Sequence, residues 1–95
     1  MPRTLETTTA FRKDLKRERK AGHKDFERIF RALVTALQND QPLDQRYRDH
    51  PLTSDWKDHR DLHLKPDLVL IYRKAEDPEP ILTLVRLGSH AELFG

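Results

Sequence analysis

Cysteine is absent from the 95-residue chain, so a disulfide framework, a thiolate metal site and a thiol nucleophile are all excluded. Glycine occurs three times and never in a cluster, which removes the glycine-built phosphate loops and the serine nucleophile elbow. The longest apolar run, Leu68-Val69-Leu70-Ile71-Tyr72, falls far short of the roughly 18 residues of a membrane helix. The N-terminus lacks the charged-then-apolar pattern of a secretion leader. These absences lead to the expectation of a cytoplasmic chain without membrane contact.

Charge is plentiful instead. Charged residues make up 36% of the chain and apolar residues 36%, and a chain of this size supports one core, hence one domain over residues 1–95. The net charge of +2 conceals an asymmetry: residues 1–24 carry eight basic side chains against three acidic, a net +5, and the remainder carries ten against thirteen, a net −3. The basic block, which includes Arg12, Lys13, Lys16, Arg17 and Lys20, has the composition of a polyanion-binding surface. A solvated helix face laced with Asp14 and Glu18 is the competing reading. Five histidines are the other unusual count.

The pattern predicts an α+β fold. Leu5 to Thr9 is β-branched and short, a candidate first strand. Ala10 to Ala21 reads as a helix with Phe11 and Leu15 one turn apart, closed by Gly22. Phe26, Ile29, Phe30, Leu33, Val34 and Leu37 follow the spacing of a second, strongly amphipathic helix that ends before Pro42. Asp61 to Leu64, Leu68 to Arg73 and Ile81 to Leu87 read as three strands, with Lys65-Pro66-Asp67 a hairpin turn and Ala75 to Pro80 a polar loop. The expected architecture is a helical hairpin on one face of a small antiparallel sheet, in the order β-α-α-β-β-β with a short C-terminal helical turn. Residues 38–58 have no periodicity, and a connection that long in a compact domain is usually functional.

Three histidines fall where chemistry could gather. His50 lies in the long loop. His63 alternates with Leu62 and Leu64 and so shares a face with Asp61; if the leucines meet the helices, His63 and Asp61 face away from them. His90 follows the last strand, four residues before Phe94. Asp67 and Arg86 lie near these positions in the expected hairpins. At each position taken singly, a solvated histidine is the simpler reading. Together they offer bases, acids and a cation to one cleft, since imidazole exchanges protons near neutral pH.

No metal is expected. His59 and His63 sit four apart in a strand, roughly 13 Å, which is too far for one zinc with bonds of about 2 Å. No acidic triad for a magnesium nuclease is present. Metal-free RNA cleavage fits the residues that remain. RNA supplies its own nucleophile, the 2′-hydroxyl, so a protein must only take that proton, give one to the leaving 5′-oxygen and stabilise charge on the phosphate.

Four blocks carry a resemblance: Tyr47-Arg48-Asp49-His50-Pro51-Leu52, Trp56-Lys57, Arg60 to Tyr72, and Val85 to Phe94. With the Phe11 to Lys16 start, they resemble the YafQ-type toxins of the RelE/ParE superfamily. The resemblance implies a RelE-like fold and a ribosome-dependent endoribonuclease, without cofactor, that cuts messenger RNA in the decoding site. It also implies a cognate ribbon-helix-helix antitoxin, with operator DNA bound only through the joint complex. The active site it implies is His50, His63, Asp67, His90 and Phe94, with Asp61 and Arg86 beside them. His90 would be the acid, His50 or His63 the base oriented by Asp67 or Asp61, Arg86 the cation and Phe94 a stacking contact. The basic block suits ribosomal RNA. The family usually has Trp where this chain has Leu68, which removes a possible stacking contact, and the Ala75 to Pro80 loop is slightly long. A ParE-like toxin acting on DNA gyrase, or a non-catalytic interaction module, would leave the histidines without a role.

Overall fold

The apolar stripe of the second helix decides where everything else packs. In the computed structural model, which describes residues 2–95, α2 spans Phe26–Gln38 and buries Phe26, Phe30, Leu33, Val34 and Leu37. The preceding helix, α1, spans Thr9–Ala21; the Thr8 hydroxyl accepts the Phe11 N–H at its start, and Gly22 closes it at φ 69°, a left-handed conformation natural to glycine. Phe30 stacks with both Phe11 and Phe26, at 6.0 and 5.5 Å between ring centroids, and joins the two helices.

The sheet beneath them has five strands: β1 (Thr4–Thr7), β2 (His50–Pro51), β3 (Arg60–Lys65), β4 (Leu68–Ala75) and β5 (Ile81–Gly88). Their order is β1-β5-β4-β3-β2. The expected sheet needs correcting in two respects. It is mixed rather than antiparallel, because β1 runs parallel to β5. It also gains an edge strand within the long loop, where His50 pairs with Asp61 and Pro51 with Arg60. Two residues, one of them proline, leave no periodicity to read, and proline is tolerated only at such an edge.

Strand alternation divides the side chains between two faces. Leu62, Leu64, Leu68, Leu70, Tyr72, Leu82, Leu84 and Leu87 join the helices in the main core. Burying each of those leucines contributes about 1.5–3 kcal/mol. Val69 and Ile71 point the other way, where Leu93 of the C-terminal helix α3 (His90–Phe94), Leu52, Trp56 and Val85 cover them. Leu68, 2% exposed, belongs to the helix-side core, so its side chain is spent on packing.

The outer edge of β5 is closed in two different ways. Along Ile81 to Leu84, β1 supplies a parallel ladder. Beyond it α1 takes over with side chains: the Thr8 hydroxyl donates to the Val85 carbonyl at 2.7 Å, Asp14 Oδ2 accepts the Leu87 N–H at 3.0 Å, and Arg17 Nη2 donates to the Leu87 carbonyl at 2.9 Å. Asp14 also accepts Arg86 Nε at 2.7 Å. Burial pushes Asp14 upward, but Arg86 and the Leu87 N–H outweigh it and hold the carboxyl below its usual range. At the opposite end Arg3, 9% exposed, reaches Asp40 at 2.8 Å and the Ala75 carbonyl at 3.0 Å, tying β1 to the end of α2 and the β4–β5 loop. Among the described residues no helix is long and apolar enough to cross a membrane.

Asp14→Ala leaves a buried strand N–H and a guanidinium without their acceptor. The expected loss is about 3 kcal/mol, read as a lower urea midpoint at unchanged slope. A loss within the scatter of surface substitutions would mean that β5 does not need this cap.

Candidate active site

The face of the sheet turned away from the helices assembles the histidines row by row. Register places His50, Asp61, Ile71 and Arg86 in one transverse row, and His63, Val69 and Gly88 in the next. His90 follows at the start of α3. His63 lies at the centre of the cluster, 6.5 Å from His50 and 5.4 Å from His90 between ring centroids. Phe94 stands 5.3 Å beyond His90, half-exposed, with Trp56 edge-on to it at 6.3 Å. The expected grouping of His50, His63, Asp61, His90 and Phe94 is therefore present in space.

Asp61 departs from expectation in its burial. It faces away from the helices as alternation requires, but it is 1% exposed, since the small second core and the imidazoles close over it. Its Oδ1 has no hydrogen bond; His50 Nε2 lies 3.0 Å away but off the hydrogen-bonding direction. Burial raises the Asp61 carboxyl above the usual carboxylate range, and the three histidines partly oppose that rise. On the other side of the His50 ring, Nδ1 lies 2.6 Å from the Arg48 carbonyl. A carbonyl only accepts, so Nδ1 carries a proton, and the gap between Nε2 and Asp61 holds at most one more. His50 and Asp61 thus lie in close contact, 3.0 Å apart, without a hydrogen bond between them.

The loop that carries His50 is pinned by its neighbour. Asp49 accepts the Tyr72 hydroxyl at 2.5 Å and Arg60 Nε at 3.1 Å. Burial, with Asp49 alongside, pushes the Tyr72 phenol up, so it stays a donor. Asp49 was not singled out in the sequence; only its place beside His50 could have drawn attention to it.

Asp67 plays a different part from the one expected. Rather than reaching the His63 ring, it lies 3.4 Å from the backbone N–H of His90. His63 Nδ1 instead faces the Pro66 carbonyl at 3.4 Å, which leaves Nε2 available. Asp67 thus helps to hold the first turn of α3, where the Ser89 hydroxyl and the Glu92 carboxylate cap each other's backbone N–H groups. Ser-x-x-Glu at 89–92 is the sequence signal for this cap.

Arg86 and Arg17 are both engaged by carboxylates. Arg86 shares the Asp61 row but stands two strands away, roughly 10 Å, and its guanidinium is engaged by Asp14 through Nε and Nη2. Arg17 is not a free cation of the basic block: Glu18 and Asp14 hold it at 2.9 and 3.3 Å, with Glu92 at 3.5 Å. Gly88 makes this crowding possible, because a Cβ there would come within 2.9 Å of Arg17 and 3.0 Å of Glu92. Arg12, Lys13, Lys16 and Lys20 remain exposed on α1, and Arg12, Lys16 and Lys20 line a shallow cleft of about 550 Å³ over Leu15.

Fold and site together define a small α+β domain with a cluster of three histidines set on one face of a sheet. Residues 3–95 match the family described as the bacterial toxin of type II toxin-antitoxin system, YafQ. The chain is 40% identical over 93 residues to the mRNA interferase toxin YafQ of Escherichia coli strain B, covering 98% of this chain and 97% of that one. Among solved structures it resembles a metal-bound toxin from Helicobacter pylori, with TM-score 0.88 and 47% identity over 99% of this chain and 100% of that one. It also resembles a chain of the E. coli DinJ-YafQ toxin-antitoxin complex, with TM-score 0.85 and 40% identity over all of both chains. The chain belongs to the YafQ family of bacterial toxins.

The raised Asp61 carboxyl has a defined sign. A folded-state value above the unfolded one means that ionised Asp61 lowers stability, and that this cost disappears as falling pH protonates it. Asp61→Asn should therefore raise the melting temperature at pH 7, with the gain shrinking toward pH 4, while message cleavage falls. An equal gain at both pH values would contradict a buried ionised carboxylate.

Proposed function

We propose that the chain is a type II toxin that stops translation by cutting messenger RNA in the decoding site of the ribosome. The observation that carries this reading is the juxtaposition of His63 and His90 above a buried carboxylate, in a chain similar over its whole length to mRNA interferase toxins. Cleavage proceeds by attack of the 2′-hydroxyl on the adjacent phosphorus; the P–O5′ bond breaks, leaving a cyclic phosphate on one product and a 5′-hydroxyl on the other. His63, with Nε2 available, takes the 2′-proton. His90 donates to the leaving 5′-oxygen. His50, with Nδ1–H turned to the Arg48 carbonyl, presents Nε2 beside the buried Asp61 carboxyl and next to His63. Arg86, held rigid by Asp14, adds to the field that stabilises charge on the phosphate, and Phe94 gives a base a surface to stack on.

Relatives point to the partners. A YafQ chain of the same fold is bound to DinJ in its complex, and we assign this chain a cognate antitoxin of ribbon-helix-helix type, with operator DNA contacted through the joint complex. The free cations of α1 face ribosomal RNA. A metal-bound relative raises a metal route for this site too, but among the described residues no three His, Asp or Glu side chains converge where one ion could sit. The reaction is accordingly written with imidazoles alone.

His90→Ala should lower the cleavage rate on programmed ribosomes by about 10²–10⁴-fold and abolish growth arrest on induced expression, with thermal unfolding and antitoxin binding retained. Full activity in that variant would sink the assignment of the acid. Separately, Lys13→Glu, Lys16→Glu and Lys20→Glu together should weaken ribosome binding and flatten its salt dependence, by roughly 0.7–0.9 in log–log slope for each phosphate no longer neutralised. An unchanged slope would return α1 to the status of a solvated face.

A further inference from the structure

One cleft beside the site has no role in the mechanism above. It has a volume of about 320 Å³ and lies between the 3-10 turn Gln45–Tyr47 and the β3–β4 turn, with Arg46, Tyr47 and Arg48 on one side and His63, Lys65 and Pro66 on the other. Three of these side chains are cationic and none is a carboxylate; Asp44 approaches Arg46 Nε at 4.0 Å. Arg48 adopts a left-handed conformation, φ 50°, uncommon for a residue with a Cβ. The same residue supplies the carbonyl that holds His50 Nδ1, so a single strained residue serves the cleft and the site. The Arg46 guanidinium lies over the Tyr47 ring at 5.1 Å, which orders both. His63 lines the cleft and belongs to the histidine cluster, so whatever fills the cleft abuts whatever reacts at His63.

We infer that this cleft is a subsite for the ribose-phosphate of a nucleotide adjoining the scissile bond, with Arg46, Arg48 and Lys65 paired to its phosphate. The inference rests on the ribonuclease reading above and assigns a place to the RNA strand as it leaves the reacting phosphate. The volume is at the small end of ligand pockets, roughly 300–1,000 Å³, and suits one nucleotide unit rather than a protein segment. The three cations bind that phosphate and hold the strand in the cleft, without touching the reacting atoms. Because they touch a phosphate that does not react, their energy enters binding of substrate and transition state alike.

The test uses the full chain with programmed ribosomes as substrate. The triple variant Arg46→Gln, Arg48→Gln, Lys65→Gln should raise KM about tenfold or more with kcat within about threefold, as expected when uniform binding is removed. A charge-matched control, Arg28→Gln, Arg31→Gln, Arg73→Gln, alters exposed cations elsewhere and should leave KM within about twofold. A second measurement does not depend on how the variant folds: messages carrying one neutral methylphosphonate at successive positions are cut by the wild-type chain. A KM rise of about tenfold confined to a position next to the cut supports the subsite. The inference is overturned if no adjoining position matters, if the triple variant matches its control, or if kcat falls with KM unchanged. A wild-type chain that cuts no message on ribosomes would instead overturn the ribonuclease reading itself, a failure visible before any variant is made.

Discussion

Strand β5 has two neighbours along its first half and only one along its second, and an open strand edge inside a domain must be satisfied or it destabilises the fold. The answer here is the Asp14 carboxylate, which accepts the Leu87 N–H and holds Arg86, with Arg17 completing the pair by donating to the Leu87 carbonyl. This cap sets the angle of α1 against the sheet. It also brings Arg17 to within 3.5 Å of Glu92, which belongs to the capping box of α3. The first helix, the last strand and the helix bearing His90 are therefore joined by one polar cluster built around the buried Asp14. Net charge along α1 gives no hint of this, because the same helix presents Lys13, Lys16 and Lys20 to solvent on its other side.

The site combines two opposed demands on a small sheet. A carboxylate is most useful to three imidazoles when close to them, and most costly to the fold when dry. Asp61 accepts the second condition in order to meet the first: it is buried, lacks a well-directed hydrogen bond and sits in the row that His50 completes. Local rules of polar satisfaction are broken where chemistry is expected and kept elsewhere, as with Asp49, which has two donors and fixes the His50 loop.

Much of this was legible in the chain itself. The spacing of Phe26, Ile29, Phe30, Leu33, Val34 and Leu37 defines α2 almost to the residue, Gly22 marks the end of α1, and the alternation of Asp61-Leu62-His63-Leu64 assigns both faces of β3. Motif likeness then gathered His50, His63 and His90. What escaped was long-range or too short to be periodic. The parallel pairing of Thr4–Thr7 with Ile81–Leu84 spans nearly the whole chain, the two residues of β2 carry no pattern, and the pairing of Asp14 with Leu87 joins residues 73 positions apart. The Arg86–Asp14 pair escaped for the same reason, its partners lying 72 positions apart, whereas Arg17 is held by the Asp14 and Glu18 that the competing reading of the basic block had named.

Helix α3 has five residues, too few to persist in water by itself, since a first helical turn costs more entropy than its single hydrogen bond returns. It is held by Leu93 against Val69 and Ile71, by Asp67 at its first turn and by the Arg17–Glu92 contact. Each of those supports lies in another element of the fold, so the short helix depends on tertiary contacts for its place. His90 therefore keeps its place in the cluster only while the second core and the Arg17–Glu92 contact hold α3 against the sheet.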